Sequence, residues 1–282
     1  MTSKLQIGKT NCLQIKTLNA VGAMLDGGSL GEILLTATAN TPELIPGNSI
    51  ETFIYLDAEG ELAATTIKPH IQLDEIAWLK VADVTDVGGF LDWGLTKDLF
   101  IPFAEQQFDL IPGRHVLAKA YLDKRNRITA STRIDRFLKE HNEHFNVGEK
   151  VSLLIADRTE LGYRAIINHE FLGLLFSSDL LTPVKKGQQH TGYIKQIRND
   201  KKIDLSLTPV GFDQQRNDDI AQAILDALDE HQGTLLLGDK SPPEAIQKVF
   251  GVSKKAFKKA CGSLYKKRLI NIEDKRITRT QS

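Results

Sequence analysis

Phe90 and Phe100 sit where an aromatic ring faces away from a core. Leu91, Leu99, Ile101 and Phe103 share one side of their strands, and Phe90, Asp92, Phe100 and Pro102 fall on the other. A ring presented by a strand can stack an unpaired base, a contact of about 1–3 kcal/mol. Farther along, Tyr163 and Arg164 precede a cluster of cations, Lys195, Arg198, Lys201 and Lys202. Guanidinium planes stack bases and ammonium groups track phosphates, so this set also suits single-stranded nucleic acid. For Tyr163 and Phe100 a place in a barrel core is the competing reading, because aromatics are mostly buried. A third set is purely cationic: Lys254, Lys255, Lys258, Lys259, Lys266 and Lys267, followed by Lys275 and Arg276. Its chemistry is phosphate neutralisation.

The elements that carry these residues recur. Val21-Gly22-Ala23-Met24-Leu25-Asp26 returns as Val87-Gly88-Gly89-Phe90-Leu91-Asp92, an offset of 66. The same offset takes Leu44-Ile45-Pro46-Gly47 onto Leu110-Ile111-Pro112-Gly113 and Tyr55-Leu56-Asp57 onto Tyr121-Leu122-Asp123. A fainter third copy lies 74 residues on, with Leu161-Gly162 and Gly187 in register. Each copy consists of short alternating runs between Gly, Pro, Asn and Asp, which predicts five strands. In the second these are Ile76 to Val84, Gly89 to Trp93, Asp98 to Phe103, Arg114 to Tyr121 and Arg127 to Ser131. Five strands in under 75 residues predict a small barrel of the oligonucleotide-binding type, repeated three times because one alone is marginal.

The run Ala82-Asp83-Val84-Thr85-Asp86-Val87-Gly88-Gly89-Phe90-Leu91, then Asp98 to Glu105, then Asp123 with Arg127, resembles the S1-type RNA-binding domain. The resemblance implies an RNA face made of two aromatics, a His on the third strand, and an Asp and an Arg four apart. The second unit keeps Phe90, Asp123 and Arg127 but has Val87 and Pro102 at two of the positions. The third has Leu161 and Arg164 for the aromatics, Phe176 for the His, and Arg198 and Lys202 for the Asp and Arg. The first has Val21, Met24 and Thr36 and puts Glu61 where the Arg belongs, so its face is degenerate.

After Pro209 the apolar period changes toward 3.6. A helix is predicted over Asp218 to Leu228. Ser241-Pro242-Pro243-Glu244 predicts an N-cap, a first-turn Pro and a capping-box Glu opening a second helix to about Phe250. Ser253 starts a third, with Phe257, Ala260, Cys261 and Leu264 inward and the lysines outward. Ile270 to Thr278 reads as a hairpin, to which Lys275, Arg276 and Arg279 add charge. Helix, helix, turn, helix, hairpin is a winged helix. The predicted architecture is mainly β with a C-terminal α+β domain: S1-like barrels over 1–68, 69–136 and 145–209, and a winged helix over 214–282.

The 282 residues are 41% hydrophobic and 26% charged, which excludes disorder and collagen-like structure. Positive and negative side chains number 36 each, but residues 239–282 hold 12 Lys/Arg against 4 Asp/Glu, a net +8 balanced by −8 in the rest. A basic tail on an acidic body points to an anionic partner. Cys12 and Cys261 are far apart without metal-ligand spacing, so neither a disulfide framework nor a zinc site is expected. No apolar run approaches a membrane span, and a soluble, cytoplasmic protein is expected. Gly233 to Ser241 is a near miss to a phosphate-binding loop, spoiled by Asp239 and three leucines. His141 and His144, with Glu140 and Glu143, lie in the link between the second and third units, where a mobile polar linker is expected rather than a metal. No cofactor and no catalytic set is expected.

Over nearly its whole length the chain is similar to the conserved virulence factor B family of bacterial RNA-binding proteins. Ser253-Lys254-Lys255-Ala256-Phe257-Lys258-Lys259-Ala260 is the most specific part of that likeness. It implies a post-transcriptional regulator that binds single-stranded RNA, messenger included. Two alternatives stand beside it. One is a transcription regulator whose winged helix reads duplex DNA. The other is an adaptor tethered to ribosome or messenger, with a protein partner on the first barrel.

Overall fold

The computed structural model describes residues 5–38, 41–57, 60–180, 182–209 and 211–280, with the side chains of 212–216 outside the description. It divides into two compact units, Met1–Leu207 and Thr208–Ser282. In the first unit, β1 (Thr10–Asn19), β2 (Gly22–Asp26), β3 (Glu32–Thr36), β4 (Ser49–Leu56) and β5 (Leu62–Thr65) close a barrel in the order β1-β2-β3-β5-β4. The second set is β6 (Ile76–Thr85), β7 (Gly88–Asp92), β8 (Leu99–Pro102), β9 (His115–Leu122) and β10 (Ile128–Ser131). The third set, β11 (Lys150–Arg158), β12 (Gly162–Ile167), β13 (Phe171–Phe176), β14 (Gln189–Ile197) and β15 (Ile203–Ser206), closes like the first. The second stays nearly closed: no ladder joins β8 to β10, and Thr129 Oγ1 donates to the Phe100 carbonyl at 2.9 Å across the gap.

The repeat is visible in the register. Gly22 pairs with Thr36, Gly88 with Pro102 and Gly162 with Phe176, and the first strand of each barrel bulges after Ile15, Val81 or Ile155. The leading glycine has a steric cause. A Cβ there would lie 2.0, 2.6 or 2.1 Å from the carbonyl oxygen of Leu35, Ile101 or Leu175 on the partner strand. The strands expected for the second unit lie within two residues of those observed.

Each barrel buries one parity of its strands, and part of the other parity of the second and third barrels joins them. Ala77, Leu79 and Val81 enter the second core, whereas Ile76, Leu117 and Ile134 meet Leu154, Ala156, Ile166 and Leu172 of the third barrel. The first barrel joins through Phe53, buried in the second core edge-on to Trp93 at 5.7 Å. The link between the second and third units packs on the third barrel: Lys139 bridges to Phe171, and His144 lies against Phe145 and Phe171.

The second unit runs α1 (Phe212–Glu230), β16 (Thr234–Leu235), α2 (Pro243–Phe250), α3 (Lys254–Lys266), β17 (Ile270–Ile272) and β18 (Ile277–Arg279). Ile224, Leu228, Ile246, Phe257, Leu264 and Ile277 form its core, and the sheet order is β16-β18-β17, a winged helix. Three features correct the expectations. α1 starts six residues before Asp218. β16 adds a third strand to the predicted hairpin. Ser241 is not the cap of α2: Pro242 holds that position, and Ser241 Oγ accepts from the Gly238 N–H at 2.8 Å. Ser253 does cap α3, accepting from the Ala256 N–H. Ser253→Ala is expected to cost this unit about 1 kcal/mol, read from the urea midpoint of its transition. Among the described residues no helix is long and apolar enough to cross a membrane.

Candidate nucleic-acid interface

Phe90 on β7 stands directly opposite Phe100 on β8, with ring centroids 5.5 Å apart at 50°. Both rings are half-buried, while Leu91, Leu99 and Ile101 of the other parity are fully inside. The alternation placed Phe90 outward and left Phe100 open between core and face; the structure puts both on the outer side. Beneath it Gly88 leaves room for the Phe100 ring, whose edge would be 2.8 Å from a Cβ. At the hairpin before β10, Asp123 Oδ1 accepts from the N–H groups of Arg125 and Arg127, and Oδ2 accepts from Arg127 Nε and Nη2 at 2.9 and 2.8 Å. Partial burial pushes the Asp123 carboxyl up, but the Arg127 backbone N–H and guanidinium and the Arg125 N–H outweigh it and hold the group below its ordinary value. Asp123 therefore organises the hairpin and aims Arg127. Burial, then the Asp92 and Asp83 carboxylates, raise Asp98. Acids thus flank the rings, which fits stacking of a base better than gripping of a phosphate. Val87, at the first aromatic position of the resemblance, is 60% exposed.

The third barrel brings Arg164, Arg198 and Lys202 around a cleft of about 230 Å³, with Leu174, Asp204 and Glu140 also in its wall. Arg198 lies over the Phe176 ring at 5.6 Å and is held by Asp204 at 2.7 Å. Arg164 is tied to Asp135 at 2.9 Å and Lys195 to Asp179 at 2.6 Å. The expected basic patch is therefore largely neutralised by acids from other elements of the fold. Lys201 occupies the left-handed residue of the hairpin tip, and neither it nor Lys202 forms an ion pair among the described residues. Tyr163 does not join Arg164: it has the opposite strand parity and packs on the third core. The Ile166 and Leu172 end of the same outer face is covered by the second barrel.

On the first barrel Met24 opposes Leu34, and Asp57 Oδ1 accepts from the Glu61 N–H, reproducing the hairpin but with an acid where Arg127 would be. Val21 is 56% exposed.

On the winged helix Lys255, Lys258, Lys259, Lys266 and Lys267 are exposed and Lys254 is half-buried. Lys258 is engaged by Asp239 at 2.8 Å, which leaves Lys255, Lys259, Lys266 and Lys267 without an ion pair among the described residues. In the wing Lys275 is exposed and Arg276 meets Glu273 at 2.8 Å. Arg279, expected to add charge there, turns back to Asp229 and the Leu225 carbonyl at the end of α1. In the glycine-flanked loop before α2 the N–H groups next to the Lys are already engaged: those of Asp239 and Lys240 donate to the Glu273 and Asp274 carbonyls, and that of Gly238 to Ser241 Oγ. Cys261 is buried, and that burial pushes its thiol up to about 12.

Sequence reasoning passed over Trp78, His115 and Phe108, which meet beside the seam between the second and third barrels. The signal was present, since Trp78 shares the outward parity of Ile76 and Lys80.

Fold and site together define a class: three tandem oligonucleotide-binding-type barrels followed by a winged helix. Residues 222–278 match the model of the CvfB-like winged helix domain, and residues 7–67 match that of the S1 domain. The chain is 27% identical to Conserved virulence factor B of Staphylococcus epidermidis, covering 98% of this chain and 95% of that protein. It is 29% identical to Conserved virulence factor B of Staphylococcus aureus, covering 98% and 94%. The chain is thus similar over nearly its whole length to the conserved virulence factor B proteins. A crystal structure of a multidomain protein with nucleic acid binding domains from Streptococcus pneumoniae aligns over 97% of this chain and 98% of that one, at 22% identity and a TM-score of 0.39. S1 barrels and winged helices are nucleic-acid-binding modules, and nucleic acid binding is the function they support. The S1 match falls on the first barrel, whose outer face lacks the aromatic pair: the fold signature and the binding face are separate properties.

Proposed function

We propose that this chain is a non-catalytic, cytoplasmic RNA-binding protein that regulates gene expression after transcription. Single-stranded RNA lies on the second and third barrels, and the winged helix adds phosphate contacts. The observation that carries this reading is the outward Phe90–Phe100 pair beside the Asp123–Arg127 hairpin. Arg164, Arg198, Lys202 and Phe176 continue it on the third barrel, where guanidinium planes take the place of rings.

Fluorescence anisotropy of the intact protein on one sequence as single-stranded RNA, single-stranded DNA and duplex DNA, across a salt series, tests it. Preference for the single-stranded RNA is expected. Tightest binding to duplex DNA would instead make the chain a winged-helix DNA binder. Lys255→Ala combined with Lys259→Ala is expected to flatten the log–log salt dependence by about 0.7 for each phosphate no longer neutralised. Lys258→Ala alone is expected to change it less, because Asp239 already neutralises that ammonium.

A further inference from the structure

Trp78 projects from β6 on the parity that faces the third barrel, and one edge of its indole packs on the apolar seam. Gly187 packs against part of the ring, and the remainder borders open clefts, leaving Trp78 half-buried. It stacks with His115 at 6.0 Å and 21°, and Lys186 of the third barrel stands 5.6 Å from its centroid. Two clefts, of about 440 and 210 Å³, are both lined by Trp78 and His115. The first adds Lys80, Asp92 and Gln189; the second adds Phe108, a residue 51% exposed, with Asp157 and Lys186. The contrast with Trp93 is informative. That indole is 6% exposed, edge-on to Phe53, and its N–H donates to the Lys97 carbonyl at 2.5 Å, as a purely structural Trp does. The Trp78 N–H has no such acceptor among the described residues.

We propose that this seam holds an unpaired RNA base on the Trp78–His115 pair, a contact additional to the outer faces of the barrels. The chemistry selects a base over a phosphate. Lys80 and Lys186 are offset by Asp92 and Asp157, with Lys186 bonded to Asp157 at 2.7 Å, so the cleft has little net charge for an anion. It does offer aromatic and imidazole planes, an ammonium, an amide and carboxylate acceptors, which match the faces and amino edges of a base. A paired base keeps its edges inside the duplex, so the seam takes only single strands.

The inference rests on the proposed binding of single-stranded RNA, and two readouts on the intact protein separate their failures. Anisotropy of a fluorescently labelled 12-nucleotide RNA reports binding anywhere on the chain, and intrinsic tryptophan emission with the same RNA unlabelled reports Trp78 against the enclosed Trp93. Saturable quenching with the midpoint of the anisotropy curve is expected. Trp78→Phe, which keeps the apolar seam, should abolish the quench, and His115→Ala should weaken binding about fivefold or more without moving the melting temperature. Binding with no quench, or a quench that survives in Trp78→Phe, overturns the seam contact and leaves RNA binding standing. No anisotropy change with any single strand overturns both.

Discussion

Replacing Phe90 or Phe100 by alanine is expected to weaken single-stranded RNA binding by about 1–3 kcal/mol, roughly 5- to 150-fold, with an unchanged salt slope. A ring contributes stacking and no charge, so the deficit should be the same at low and high salt, whereas the deficit from removing winged-helix lysines shrinks as salt rises. The two rings are 5.5 Å apart, close enough to share one base, so the double variant should be weakened by less than the sum of the singles. Phe100→Leu separates packing from stacking: it keeps apolar cover over Gly88 but removes the flat face. Titration of all four variants by anisotropy, with melting temperatures alongside, checks this. Wild-type affinity in both single variants would remove the second barrel from the RNA path.

Gly187→Ala is expected to destabilise the barrel unit far more than the same change at its repeat partner. Gly47, Gly113 and Gly187 occupy the same turn with φ of 90, 83 and 84°. An alanine in that left-handed conformation costs about 1–2 kcal/mol at any of them. At 47 and 113 a Cβ would meet nothing within 4 Å, but at 187 it would lie 2.3 Å from the Trp78 ring. Overpacking should add about 1–3 kcal/mol there. The difference between Gly187→Ala and Gly113→Ala in urea midpoint therefore measures how tightly the seam is closed, with the backbone strain cancelled. Equal costs would mean that the Trp78 ring yields freely, and the seam would then be a looser joint than its geometry describes.

Much of the fold was legible because its causes are local. The glycine that opens the second strand of each barrel is demanded by one partner carbonyl, so it recurs at 22, 88 and 162 and reveals the repeat. Alternation placed Leu91 inside and Phe90 outside, and Ser253 announced α3 through a bond to a residue three positions on. The same reasoning failed at Ser241, where two prolines allow a cap reading but the hydroxyl is used by Gly238 to close a loop onto the wing. It left Tyr163 open between core and binding face, and the structure packs it on the third core, because adjacent residues on a strand face opposite ways.

The sequence alone determined the three-barrel repeat, the winged helix, the outward parity of Phe90, and the segregation of positive charge into the last 44 residues. Tertiary structure decided which of those groups are available. Arg164, Lys195, Arg198 and Lys258 are paired with Asp135, Asp179, Asp204 and Asp239, and Trp78 is brought against Lys186 from 108 residues away. Periodicity reports which side of its own strand or helix a residue occupies. It carries no term for what another barrel or loop sets against that side, and the net charge and exposure of a binding surface depend on that.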